Sequence, residues 1–236
     1  MKAIVHPSNS RGSADYGWLK TNYSFSFADY NNPERMGFGA LRVLNDDTIA
    51  GAGGFDAHSH DNMEIVTIVL EGSLKHSDSM GNSGVIPAGD VQKMSAGTGV
   101  VHSEKNASQK EPVKLLQAWV YPRESGLDPS YGQKSFRDVQ KKNTLVTLVS
   151  GFGEADALQM NSDARFLLGK LGKGAKVSHQ MHSEGQGAYV FVISGKIRVA
   201  GKELEKRDAA GIYETKKIEI EALSDSQVLV IEVALG

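Results

Sequence analysis

The sequence predicts an all-β fold built as two antiparallel β-barrels, and three observations predict it. Short β-branched and apolar runs recur along the chain, each closed by Gly, Pro or Asn-Asp turn chemistry. The stretch Thr67-Ile-Val-Leu-Glu-Gly-Ser-Leu74 returns as Val190-Phe-Val-Ile-Ser-Gly-Lys-Ile197, so a strand, turn and strand repeat after a shift of 123 residues. A length of 236 residues accommodates either one large domain or two packed halves.

The elements follow in order. Residues 1–35 are rich in Gly, Ser, Asn and rings (Tyr16, Trp18, Tyr23, Phe25, Phe27, Tyr30), which predicts an extended arm packing by its rings. Pro33 closes it. Ala40 to Leu44 is a short apolar segment, Asn45-Asp46-Asp47 reads as a turn cluster, and the glycines up to Gly54 suit a tight corner or a backbone pressed against a site. Glu64 to Leu70 is β-branched and too short for a helix, and Glu71-Gly72-Ser73 turns it into Leu74 to Asp78. Met80-Gly81-Asn82 is the next turn. Pro87 to Asp90 and Gly97-Thr98-Gly99 then break the chain before Val91 to Met94 and Val100 to Glu104.

A strand over Val113 to Tyr121 ends at Pro122. Residues 123–143 turn polar and read as the linker between halves, with the boundary placed at 125/126. The last third repeats the grammar with Phe166 to Leu168, Ala188 to Ile193, Ile197 to Ala200, Ile218 to Ala222 and Val228 to Val233.

Composition narrows the function. The net charge is −2 and the charged residues are scattered, so no footprint for direct nucleic-acid or anionic-membrane contact is present. There is no cysteine, hence neither a disulfide framework nor a thiolate metal site, and any metal must sit on nitrogen and oxygen. The N-terminal residues lack the leader pattern of a signal peptide, and no apolar run approaches the roughly 20 residues of a membrane span, so a cytoplasmic protein is expected.

Two motifs carry chemistry: His58-Ser59-His60 and His102-Ser103-Glu104. Strand side chains alternate faces with period two, so each pair looks out on one side. Two imidazoles and a carboxylate suit divalent iron used for oxygen chemistry, and a third imidazole leaves Fe, Mn, Ni, Co, Cu and Zn all open. Glu64 has the parity of His58 and His60 and faces the same cavity if the strand is unbulged. A solvated sheet face carrying four polar residues is the competing reading of one such pair; the second pair weighs against it. His6 and His76 are isolated and read as ordinary surface or half-buried residues. His179 and His182 are three apart, on opposite faces of a strand, which suggests a degenerate second pocket. The shift of 123 sends His58 to Met181, His60 to Ser183, Glu64 to Gly187, His102 to Asp225 and Glu104 to Gln227, so the second half lacks the set.

The stretches RGSADYGWLKTNYSFSFADYNNPERMGFGALRVLNDD, HSHDNMEIVTIVLEGSLKHSDSMGN and PAGDVQKMSAGTGVVHSE closely resemble the pirin family of bicupins, whose bacterial members are described as quercetin 2,3-dioxygenases. The resemblance implies two cupin (jelly-roll) barrels facing one another, residues 1–125 with the metal and 126–236 without a complete site. It implies one mononuclear metal, most often Fe(II), held by His58, His60, His102 and Glu104. Glu64 falls where many other cupins use a glutamate ligand; the resemblance implies instead that it sits behind the ligands and orients an imidazole by hydrogen bonding. The implied reaction is flavonol dioxygenation with O2, opening the central ring of a substrate such as quercetin and releasing carbon monoxide. Glu104, if it leaves or loosens from the metal, would be the general base for the flavonol hydroxyl, with Val66, Ile68 and Leu70 as apolar walls if parity holds. Two other functions compete: a non-catalytic, metal-holding protein that binds a regulatory or metabolic protein partner, and a cupin isomerase or other non-redox metal enzyme.

Overall fold

β-branched runs interrupted by residues that tolerate left-handed backbone give many short strands, and the two hairpins of the repeat show why. Gly72 and Gly195 take φ of 74° and 83°, and a side chain at either would also collide with backbone of the neighbouring strand. The structure, a computed structural model, describes residues 1–236.

The first strands are β1 (Lys2–His6), β2 (Gly12–Asp15), β3 (Leu19–Tyr23), β4 (Leu41–Ile49), β5 (Gly54–His60) and β6 (Glu64–Glu71). They are followed by β7 (Ser73–Asp78), β8 (Ser83–Pro87), β9 (Asp90–Ser95), β10 (Val100–Asn106), β11 (Val113–Val120) and β12 (Ser130–Ser135). The second half adds β13 (Leu145–Ser150), β14 (Leu158–Gln159), β15 (Ala164–Leu171), β16 (Lys176–Gln180) and β17 (Gln186–Ser194). It closes with β18 (Lys196–Val199), β19 (Lys202–Glu205), β20 (Ala209–Tyr213), β21 (Lys217–Ala222) and β22 (Ser226–Ala234). The fold is all-β; its only helix is a single 3-10 turn at Ser8–Ser10.

Each half pairs a seven-stranded sheet with a four-stranded one. In the first half these are β12-β9-β6-β11-β4-β3-β2 and β5-β10-β7-β8; in the second, β1-β20-β17-β22-β15-β13-β14 and β16-β21-β18-β19. Two strands are exchanged. β1 lies on β20 at the edge of the second half's sheet, and β12 lies on β9 at the edge of the first half's. The polar stretch read as a linker therefore contains a strand, and chain from either side of 125/126 completes the other half. Ser130–Ser135 looks like linker because an edge strand pairs through its backbone and needs no apolar side chains; its residues are mostly half-buried.

The two faces of the large sheet do different things. Val66, Ile68, Leu116 and Ala118 join Phe166, Tyr189, Leu229 and Ile231 of the second half in one 23-residue core, so that face of the sheet packs against the other half. Ile65 and Val69, at alternate positions of β6, belong to separate clusters on the opposite face, toward the half's own four-stranded sheet. The site forms on that inner side.

Candidate metal centre

β5 and β10 run antiparallel with His102 directly opposite His58, and His60 follows by the two-residue period. Opposite His102 to Glu104 the register shifts by one residue, the extra residue lying in β5 between Phe55 and His58, and bulges β5 there. The three rings converge, with centroid separations of 4.4 Å (His58 to His102) and 4.9 Å (His58 to His60 and His60 to His102). One ligating atom from each of the three lies within 4.8 Å of the others, and the same holds for His76, His102 and Glu104, so His102 is common to both groups.

Burial sets the protonation of these groups. His102 is 2% exposed, and burial, followed by the neighbouring His58, His60 and His76, pushes its pKa down to about 3. Burial and then His58 lower His60 to about 4. Both are neutral at pH 7, the form that binds a cation. The His58 Nδ1 lies 2.8 Å from the Asp56 carbonyl oxygen; donating there leaves Nε2 with a free lone pair. Burial raises the Glu104 carboxyl, opposed first by a hydrogen bond from Gln117 Nε2 to Oε2 at 2.8 Å. Thr67 Oγ1 donates to its other oxygen at 3.5 Å.

The fit to a divalent ion rests on His102. Both of its ring nitrogens are buried and neither has a hydrogen-bonding partner, although buried imidazole nitrogens are almost always satisfied. The orphaned ring, two further imidazoles and one carboxylate form a nitrogen and oxygen donor set of the kind that iron, nickel, manganese, cobalt, copper and zinc accept.

Behind the donors runs a polar row. Tyr23, Asn45, Gln117, Thr67, Gln92 and Gln133 are successive cross-strand neighbours across the inner face of the large sheet. Gln117 and Thr67 hold Glu104, and Gln92 holds His76.

His76 is the residue that sequence reasoning missed. It is fully buried, its Nδ1 accepts from Gln92 Nε2 at 3.0 Å, and its Nε2 donates to Asp78 Oδ2 at 2.9 Å. Its ring stacks on Tyr131 and packs 5.6 Å from His102. With both nitrogens engaged it packs behind His102 and has none free for an ion. The available signal was His76-Ser77-Asp78 on the strand after Gly72, but only the long-range pairing of His76 with Glu104 gives that pattern meaning.

Glu64 stands elsewhere. Its carboxylate accepts from Ser95 Oγ at 2.9 Å and from the Asn161 backbone N–H at 3.2 Å, on the side of the sheet that faces the second half. It hydrogen-bonds none of His58, His60 and His102 and orients none of them. The parity argument fails because Asp61 to Met63 is a turn, with Asn62 at φ 45°, and β5 and β6 belong to different sheets. Val66 and Ile68 lie in the core between halves, with Leu70 packed against it, and none walls the site. The rings at the site are Trp119, 4.8 Å from His60, and Phe55, 6.2 Å from His58. Phe27 of the N-terminal arm packs against Trp119 at 5.1 Å. It borders two cavities, one of about 440 Å³ that includes Met63 and Trp119, the other of about 260 Å³ that includes Asn45 and Asp47.

The other histidines are occupied. His6 meets the Tyr189 hydroxyl at 3.0 Å, His179 Nε2 bonds Glu232 at 2.6 Å, and His182 stacks on Phe152. Strand pairing also corrects the repeat register. Glu104 pairs with His76 as Ile220 pairs with Val199, and His58 pairs with His102 as His179 pairs with Ile218. The second half thus sets His179, Met181, Ile218 and Ile220 where the first has His58, His60, His102 and Glu104, because connections of different length accumulate along the two repeats. Three of the four are apolar core. No helix is long and apolar enough to cross a membrane.

Comparison with known proteins agrees over the whole chain. The family model described as Pirin matches residues 5–120, and one described as the quercetinase C-terminal cupin domain matches residues 147–233. A quercetin 2,3-dioxygenase of Escherichia coli K12 is 41% identical over 228 residues, covering 97% of each chain. A pirin-like protein of Caulobacter vibrioides is 42% identical over 97% of this chain and 98% of its own. The crystal structure of the bacterial pirin YhhW from Escherichia coli in complex with nickel(II) superposes with a TM-score of 0.93 at 38% identity, covering all of both chains. With relatives above 40% identical along almost its entire length and matches in both halves, this chain belongs to the pirin family.

Proposed function

We propose that the chain is a metal-dependent dioxygenase that cleaves flavonols such as quercetin with O2, with iron(II) held by His58, His60, His102 and Glu104. In this reading residues 1–125 form the barrel with the ion and residues 126–236 the barrel without one. The observation that carries it is the buried, orphaned His102 ring, set among two other imidazoles and a carboxylate. The quercetin dioxygenase named among the relatives and the nickel(II) bound by another support an aromatic substrate and a divalent ion.

When bound, the ion supplies Lewis acidity and an electron path between substrate and O2. Glu104, on loosening from the ion, takes the proton of the flavonol 3-hydroxyl; burial has raised its basicity, and Gln117 and Thr67 fix its orientation. Phe55 and Trp119 flank His58 and His60, take the flat rings and exclude water. Both atoms of O2 enter products: the central ring opens to an ester and one ring carbon leaves as carbon monoxide. Oxygen uptake and loss of the flavonol absorption band with the iron-loaded protein test this, with H58A and E104Q expected to abolish both. Binding of the ion without any uptake would favour a metal-holding protein that acts through a partner.

A further inference from the structure

Three polar residues lie buried together on the inner face. Thr21 and Asp47 are opposite one another on β3 and β4, and Asn45 is opposite Gln117, the residue that bonds Glu104. Thr21, Asn45 and Asp47 are only 2%, 4% and 4% exposed, yet Asn45 Oδ1 and Asp47 Oδ1 have no close hydrogen-bonding partner, only the Thr21 hydroxyl facing Asp47. All three line the cavity of about 260 Å³, whose other walls include Trp18, Phe27 and Phe55. The Phe55 ring also lies 6.2 Å from that of His58, so the cavity adjoins the candidate metal centre.

Unsatisfied buried acceptors are costly, and an apolar side chain at any of these positions would stabilise the fold. Their presence in a cavity walled by rings points to a ligand that is flat and brings hydroxyl donors. The volume is below the roughly 300 Å³ at which pockets begin to hold whole drug-sized ligands, which leaves room for a single ring. We propose that Thr21, Asn45 and Asp47, with Trp18, Phe27 and Phe55, form a specificity subsite for an aromatic ring with two adjacent hydroxyls, the hydroxyls donating to Asn45 Oδ1 and Asp47 Oδ1. This rests on the flavonol reading above: the substrate's other end supplies the oxygens that face the metal centre, and its pendant ring occupies the subsite. Asp47 suits an acceptor role that does not demand full charge, since burial raises its pKa to about 7, the nearby Thr21 hydroxyl opposing and Asp46 and Glu104 adding to the rise.

The test is anaerobic calorimetry on the iron-loaded protein with two flavonols identical except in the pendant ring, one carrying adjacent hydroxyls and one unsubstituted. Their contacts to the metal are the same and cancel in the ratio of affinities. The dihydroxylated compound is expected to bind at least tenfold tighter, because a site built to hydrogen-bond hydroxyls rejects a ligand without them. N45L and D47L should each bring the ratio toward one, leave affinity for the unsubstituted compound intact and raise the melting temperature, which a structural role would lower. If either variant fails to fold, T21V removes a hydroxyl with little change of shape and should also lower the ratio. A ratio near one in the wild type, a ratio unchanged in the variants, or no binding of either flavonol overturns the subsite. Oxygen uptake on the same samples separates the two ideas. Uptake with a ratio of one leaves the dioxygenase and removes the subsite; a large ratio without uptake does the reverse.

Discussion

Replacing His102 with leucine should reverse its effect on stability according to whether metal is present. In the metal-free protein the buried imidazole has two unpartnered nitrogens. Leaving buried polar atoms unsatisfied costs about 1–3 kcal/mol, and an apolar swap of similar size costs less than about 1.5 kcal/mol in packing. Metal-free H102L should therefore match the metal-free wild type or exceed it by up to about 3 kcal/mol. Metal at 100 times its dissociation constant stabilises the wild type by about 2.7 kcal/mol. In a protein of this size that is a rise in melting temperature of about 5–11 °C. H102L should show no such rise. Calorimetric or fluorescence melts of both proteins at pH 8, with chelator and with ferrous ion under anaerobic conditions, give four numbers. A strongly destabilised metal-free H102L together with a wild type whose melting temperature ignores metal would refute the reasoning.

Other outcomes follow from the same contacts. Q117L removes the donor to Glu104 and should weaken metal affinity by about 10–100-fold, read by competition with a chromogenic chelator; unchanged affinity would show that the bond does not orient the carboxylate. K93M should destabilise by about 3 kcal/mol in urea, because Lys93 reaches Glu64 through Ser95 and both ends are buried, while the double variant E64L/K93M should recover most of the loss. Metal content should remain one ion per chain in both variants, and its loss would return Glu64 to the site. Burial, then Arg35, lowers the His6 pKa to about 4, so between pH 4 and about 6.5 the unfolded chain holds the extra proton. Its contribution is complete above about pH 6.5 and is lost as pH falls toward 4, by up to about 3 kcal/mol; H6Q should flatten that part of the urea stability profile relative to wild type, and superimposable profiles would count against it.

Much of this was legible in the chain because it depends on local rules. The two-residue spacing of His58-x-His60 and His102-x-Glu104 requires only strand alternation, and the hairpins at Gly72 and Gly195 require only a residue tolerant of positive φ. What local rules miss is decided by pairing at long range. His76 becomes part of the site because β7 lies beside β10, which no local spacing announces. Glu64 lost its place through one turn at Asp61 to Met63 that ended the strand and reset its parity. The exchange of β1 and β12 was hidden for a similar reason: a strand that pairs at a sheet edge needs no distinctive side chains. The row from Tyr23 to Gln133 is assembled from six strands and is visible only once their register is known.

The central claim is that one divalent ion sits on three imidazoles and one carboxylate in the first half. Metal analysis of the isolated and iron-reconstituted protein, joined to X-ray absorption at the metal edge, tests it most directly. The account predicts one ion per chain with three imidazole nitrogens and one carboxylate oxygen among its donors, and none in H58A/H60A. An ion bound as firmly by that double variant, or no ion after reconstitution of the wild type, would contradict it.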